Sequence, residues 1–237
     1  MGLWSKIKGA VRAVVRVVVE AVNRFTVGLL DLVFGALFVW IGWPPKRLRL
    51  HVFILWSQPP PVIEGGPPPP IEQVVQDAIN HTRRIYKERF NVNVRPYAPS
   101  FIQVITDPVP AEALDVNCGW GIEFSEAGDY YASLLAGWVG IPISLTFPIT
   151  VFVVRNLDVL GCSMNVLGDY VIVDREGFET DYKTLAHEIG HTCGLSPGPG
   201  GHDWTSSNLM YKEPPAGEGV KWFQKNLLRS SRHVQYW

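Results

Sequence analysis

The stretch TLAHEIGHTCGL, residues 184–195, holds the residue types and the spacing from which chemistry can be argued. His187 and His191 stand four apart, slightly more than one helical turn, so both imidazoles project from one face and can share one ion. Glu188, beside the first ligand, can reach a water activated by such an ion and act as general base. The same five-residue pattern occurs by chance on surface helices. Here its flanks, TLA and IG, are apolar, as for a helix packed inside a domain, where buried histidines and a glutamate would be costly unless bound to something. A catalytic zinc site needs a third protein ligand and one open position. Gly194 suits a left-handed helix end from which the chain can turn back. The next histidine is His202, in GLSPGPGGHD, and the other three of the six (His51, His81, His233) lie in distant elements. His202 is therefore the candidate third ligand, with the carboxylate of Asp203 as the alternative. Zinc fits this donor set, although imidazole also suits other transition metals.

The elements that must position these residues follow from periodicity and punctuation. LRLHVFILWS (48–57) reads as a strand. QPPPVIEGGPPPP (58–70) is a Pro/Gly connector that can hold neither helix nor central strand. Residues 71–90 form an amphipathic helix with Ile71, Val74, Val75, Ala78, Ile79, Ile85 and Tyr86 on one side. FIQVIT (101–106), PITVFVVRNLD (148–158) and GDYVIVD (168–174) are further strands, while 110–146 gives mixed signals and no assigned element. Thr184 is the expected N-cap of the histidine helix. A last helix over 218–232 turns Val220, Phe223, Leu227 and Leu228 inward. The expected class is α/β (α+β), with a domain over 46–237 preceded by a separate segment over 1–45.

That first segment differs in composition. Residues 1–49 hold eight basic and two acidic residues, a surplus of +6, within a chain of net charge −1. Over 3–24, Leu3, Ile7, Val11, Val14, Val15, Val18 and Val22 fall on one arc, and Lys8, Arg12, Arg16, Glu20 and Arg24 on a polar stripe, the pattern of a helix lying in a membrane interface. Residues 25–43 (FTVGLLDLVFGALFVWIGW) are long enough to span a bilayer. Trp40 and Trp43 suit its boundary, and Asp31 costs about 2.5–3.5 kcal/mol on insertion scales. The alternative is a buried helical hairpin of a larger fold. A spanning segment would, by its flanking cations, leave the N-terminus cytoplasmic and the body outside. Lipid is thus the expected partner of residues 1–43.

The remaining composition removes other classes. At 47% hydrophobic and 12% aromatic the chain is not disordered, and its near-zero net charge removes the electrostatic case for nucleic acid. Three cysteines (Cys118, Cys162, Cys193) form no metal-binding cluster and allow at most one bridge, so they read as small buried residues with one optional disulfide.

HEIGHTCGL followed by HDWTSSNLMY resembles the metzincin zinc peptidases, whose motif HExxHxxGxxH precedes a Met-turn. Pro197 stands where that motif has its third histidine. Removing Ser196–Gly200 leaves HEIGHTCGLGHD, which restores the motif, so those five residues read as an inserted loop. The string NLMY, eight residues beyond His202, is most similar to the matrixin branch. The resemblance implies a zincin fold with a twisted mixed sheet, an active-site helix and a C-terminal helix. It also implies one zinc held by His187, His191 and His202, with Glu188 catalytic, Met210 as floor, and Tyr211 through Pro215, Pro214 among them, lining a substrate pocket. GDYVIVD resembles the edge strand along which such enzymes align a peptide. The expected function is a membrane-tethered zinc endopeptidase acting on protein or peptide. The rival is a non-catalytic peptide-binding or membrane-active module in which the insertion displaces His202. Latency and calcium dependence do not carry over, because no Cys-containing latency peptide or second His/Asp cluster is present.

Overall fold

A computed structural model describes residues 3–37, 44–56, 69–136, 148–164, 168–195 and 202–236. The elements in chain order are α1 (Leu3–Leu37), β1 (Lys46–Ile54), α2 (Ile71–Ile85, continued by a π turn over Tyr86–Phe90), β2 (Val92–Pro96), β3 (Ile102–Val104), α3 (Ala111–Leu114) and β4 (Asp115–Val116). After a 3-10 turn come α4 (Glu126–Ala136), β5 (Ile149–Val153), β6 (Asn156–Leu157), β7 (Cys162–Ser163), β8 (Tyr170–Val173), α5 (Arg175–Thr180), α6 (Thr184–Thr192), α7 (Trp222–Arg229) and β9 (Val234–Gln235). The α+β class with a mixed sheet is as expected. Most of the Pro/Gly connector over 58–70 lies outside the described residues.

The sheet runs β2-β1-β5-β8-β7. β1, β2, β5 and β8 are mutually parallel, and β7 pairs antiparallel with β8 through Cys162↔Ile172 and Ser163↔Val171. β8 is therefore an inner strand, and among the described residues the edge expected at residues 168–174 belongs to β7 instead. Two residues are too few to show alternation in a sequence, which is why β7 was not foreseen.

Strand alternation sorts the core into two layers. Leu48, Leu50, Val52 and Ile54 pack with Val75 and Ile79 of α2 and Leu185 and Ile189 of α6. Phe53, Leu55, Phe152 and Ile172 point the other way, against Tyr131 of α4 and Ile122. The apolar face expected on the second helix is buried except for Val74, and Asn91 ends it in the left-handed region at φ 55°. α7 is shorter than the helix expected over 218–232, so Val220 precedes it; Leu228 is buried and Leu227 half-buried, but Phe223 is 42% exposed.

α1 lies as a strap across the body, in contact with α4 and α7. Its polar stripe turns inward. Arg16 pairs with Glu123 at 3.1 Å and with Asp169 at 2.7 Å. Glu20 receives Arg232 at 3.1 Å, Asn23 donates to the Ser230 carbonyl at 2.8 Å, and Arg24 donates to the Cys193 carbonyl at 2.8 Å. Asp31 is not an isolated charge either: it accepts from Lys46 Nζ at 2.9 Å, beside Arg229 and the Tyr236 hydroxyl. Lys46, Arg229 and Arg232 are each at most 1% exposed, so breaking one of these pairs strands a buried charge, typically at about 3–5 kcal/mol. No described helix is long and apolar enough to cross a membrane, and residues 38–43 of the proposed span lie outside the described residues.

Candidate metal centre

α6 carries the two histidines, and its ends fix their height. It begins at Thr184 with Lys183, not Thr184, in the N-cap position. The Asp181 carbonyl accepts from the Thr184 amide at 2.8 Å, and the Asp181 carboxylate accepts from the Lys183 amide at 2.9 Å. The other end closes as expected on Gly194 at φ 78°. The Gly194 amide donates to the His191 carbonyl at 2.8 Å and the Leu195 amide to the Gly190 carbonyl at 2.9 Å, the paired bonds of a Schellman motif.

From there the chain returns to the helix with His202. Nε2 of His191 stands 2.9 Å from Nε2 of His187 and 3.3 Å from Nε2 of His202. One ligand atom from each residue thus falls within 4.8 Å of the others. Zinc–nitrogen bonds of about 2.0–2.1 Å in a tetrahedron place ligand nitrogens about 3.3–3.4 Å apart, close to this spacing. The tautomer fits too. Nδ1 of His187 lies 2.8 Å from the Leu209 carbonyl, which can only accept, so Nδ1 carries the proton and Nε2 keeps its lone pair for a cation. Burial pushes the His187 imidazole down to about 4, and burial with two neighbouring rings holds His191 well below its ordinary range, so both are neutral near pH 7. With the ring of His202 beside these two, three imidazoles with convergent nitrogens form a site able to bind a metal ion.

Asp203, the alternative ligand, is committed elsewhere: its carboxylate pairs with Lys221 Nζ at 2.6 Å and accepts from the Thr205 amide at 2.9 Å. His51 stacks on Phe53, His81 packs on Tyr182, and His233 lies by Asp169, each away from the cluster. Residues 196–200, read from the sequence as an insertion, lie outside the described residues.

Met210 is fully buried and lies directly against Gly190, the residue before His191. A Cβ on Gly190 would meet its Sδ at 2.8 Å. The Asp203 amide donates to the Met210 carbonyl at 2.7 Å, which ties the turn to the residue after His202. Glu188 is 8% exposed, and burial pushes its carboxyl up to about 8 in the metal-free protein. A cation beside it would favour the carboxylate and bring that value down.

A cavity of about 420 Å³ opens beside His187, Glu188 and His202, with Tyr211 and Pro214 in its wall. Its other wall was not foreseen. Gly161, just before β7, packs so closely that a Cβ would come within 2.6 Å of Glu188 Cγ. Cys118 lines the same cavity and is joined to Cys162 by a disulfide. The sequence allowed one bridge without choosing the pair; nothing in it marked Gly161.

No protein-family model matches the chain, and no curated protein matches it. Among solved structures it is similar to a chain described as "Structure of a chaperone-substrate complex", at a TM-score of 0.43 and 11% identity. That match covers 70% of this chain and 26% of the other, and a likeness this slight carries no argument about fold or function.

Proposed function

We propose that the chain is a zinc-dependent endopeptidase of metzincin type. The observation that carries the reading is the meeting of His187, His191 and His202 through their Nε2 atoms at the mouth of a cavity that Glu188 also lines. Three further features support it: β7 antiparallel at the sheet edge, the fully buried Met210 under α6, and Tyr211 with Pro214 in the cavity wall. Zinc bound by the three imidazoles would supply Lewis acidity, polarising a peptide carbonyl and making water at the site more acidic.

The chain's own residues do the rest. β7 offers its outer edge for strand addition by an extended peptide, whose scissile bond then lies over Glu188, because Gly161 leads from the edge onto that carboxylate. Glu188 removes the water proton and returns it to the leaving amine. The cavity beside Tyr211 and Pro214 takes the side chain that follows the cleaved bond.

The non-catalytic rival required His202 to be displaced, and the 3.3 Å separation of its Nε2 from His191 favours the enzyme. Glu188→Gln tests the reading. It should keep stoichiometric zinc and lose about 10²–10⁴-fold or more in peptide cleavage, the usual worth of a positioned general base. Turnover near the parent rate with zinc present would refute it. We further propose that residues 1–43 hold this enzyme at a membrane.

A further inference from the structure

We infer that α1 binds a lipid bilayer lying flat in its surface, with its polar face clasped to the enzyme body and its apolar face in the lipid. This rests on the membrane reading of residues 1–43 and fixes its geometry, replacing the spanning arrangement.

The helix is amphipathic in the opposite sense to a helix packed on a soluble core. Its body-facing side is polar, with Arg16, Glu20, Asn23 and Asp31 tied to groups 15 to 212 residues away in the chain. Its outward side is apolar: Val11, Val14, Val18, Val22, Phe25 and Leu29 follow at intervals of three and four, and all are exposed, Val14 at 63% and Phe25 at 77%. With Ile7 and Val33 at its ends, the exposed stripe covers about 40 Å of the 35-residue helix at 1.5 Å per residue. Such an apolar face on water marks an interaction site.

Bilayer lipid fits it better than a second copy of the chain. The two acidic residues of α1, Glu20 and Asp31, are both buried against the body, so the outward side carries no negative charge, while Lys8 is exposed at its border. No acidic side chain of α1 therefore faces an anionic headgroup layer. The chain also leaves α1 through the uncharged sequence FVWIGW, whose tryptophans are the residues favoured at a lipid boundary. A stripe about 40 Å long and one helix wide, about 10 Å, would bury only about 800 Å² in total in a symmetric pair, below the usual range for stable dimers. Spanning is disfavoured by the inward ties, since threading residues 25–37 through a bilayer would strip Asp31 from Lys46 and Arg229.

The test uses the full chain with phosphatidylcholine vesicles containing phosphatidylglycerol. The parent should co-sediment, and the triple variant Val14→Glu, Val18→Glu, Val22→Glu should lose binding by more than about tenfold. Because those side chains are more than half exposed, the variant should keep the parent's urea midpoint. Nitroxide labels at Val11→Cys, Val18→Cys, Phe25→Cys and Val33→Cys should report one shared, shallow depth by power saturation. Failure of the parent to bind vesicles overturns the membrane reading itself. Binding with depth that rises steadily along the four positions overturns only the flat geometry. A lipid-free dimer abolished by the triple variant, seen by sedimentation equilibrium, assigns the face to a second copy. Peptide cleavage in solution is independent of all three results.

Discussion

Replacing Gly190 by Ala probes the packing that holds the two helix histidines over Met210. A Cβ at this position would stand 2.8 Å from Met210 Sδ and 3.1 Å from Leu195 Cδ1. Met210 is 0% and Leu195 2% exposed, so neither can swing into solvent. Alanine gains about 1 kcal/mol over glycine in a helix interior, and overpacking a tight core costs about 1–3 kcal/mol, so the substitution should be destabilising by up to about 2 kcal/mol. Met210→Ala alone should cost about 2–5 kcal/mol through the cavity it leaves. In that background the added methyl has room. The contact with Sδ disappears, Leu195 can shift by a few tenths of an ångström into the vacated space, the helix gain remains, and Gly190→Ala should become stabilising by up to about 1 kcal/mol. The sign reversal is the signature, a coupling of about 1–3 kcal/mol between the two positions. Urea unfolding of the four metal-free proteins, compared at equal m, reads it directly. If Gly190→Ala has the same effect with and without Met210, the methionine is not the floor of this helix.

Two further outcomes follow from the same site. Glu188 is raised from its ordinary range to about 8 by burial, so the stability it confers on the metal-free protein is full below about 4.5 and lost as pH rises through 8. The metal-free parent should therefore weaken in chemical denaturation between pH 6.5 and 8 while Glu188→Gln does not; identical slopes would contradict the buried carboxyl. The disulfide Cys118–Cys162 spans 44 residues, and replacing both cysteines by serine should cost about 4 kcal/mol by loop entropy. No change in the urea midpoint would show that the bridge does not constrain the unfolded chain.

What could be read from the sequence was local. The ligand pair, the left-handed glycine that ends its helix, and the return of the chain at His202 are set by spacings within a dozen residues. Their geometry follows from helical periodicity and one positive φ. Met210 was legible only by resemblance, because a buried methionine has no pattern of its own. What depended on distant partners was hidden. Periodicity gave α1 two faces but could not say which one packs, and the usual choice of apolar inward fails because Glu123, Asp169 and Arg232 arrive from far along the chain. Asp31 looked like a cost for the same reason, its cations lying at positions 46 and 229. The true edge strand, β7, is two residues long, and the close approach of Gly161 to Glu188 has no counterpart in spacing at all.

The account stands on three imidazoles sharing one cation. Zinc-edge X-ray absorption on the purified full chain, with the metal content measured on the same sample, tests this most directly. One zinc per chain with three imidazole nitrogens at about 2.0–2.1 Å, falling to two in His202→Ala, is the predicted result. Substoichiometric metal, or a ligand shell that His202→Ala leaves unchanged, would contradict it.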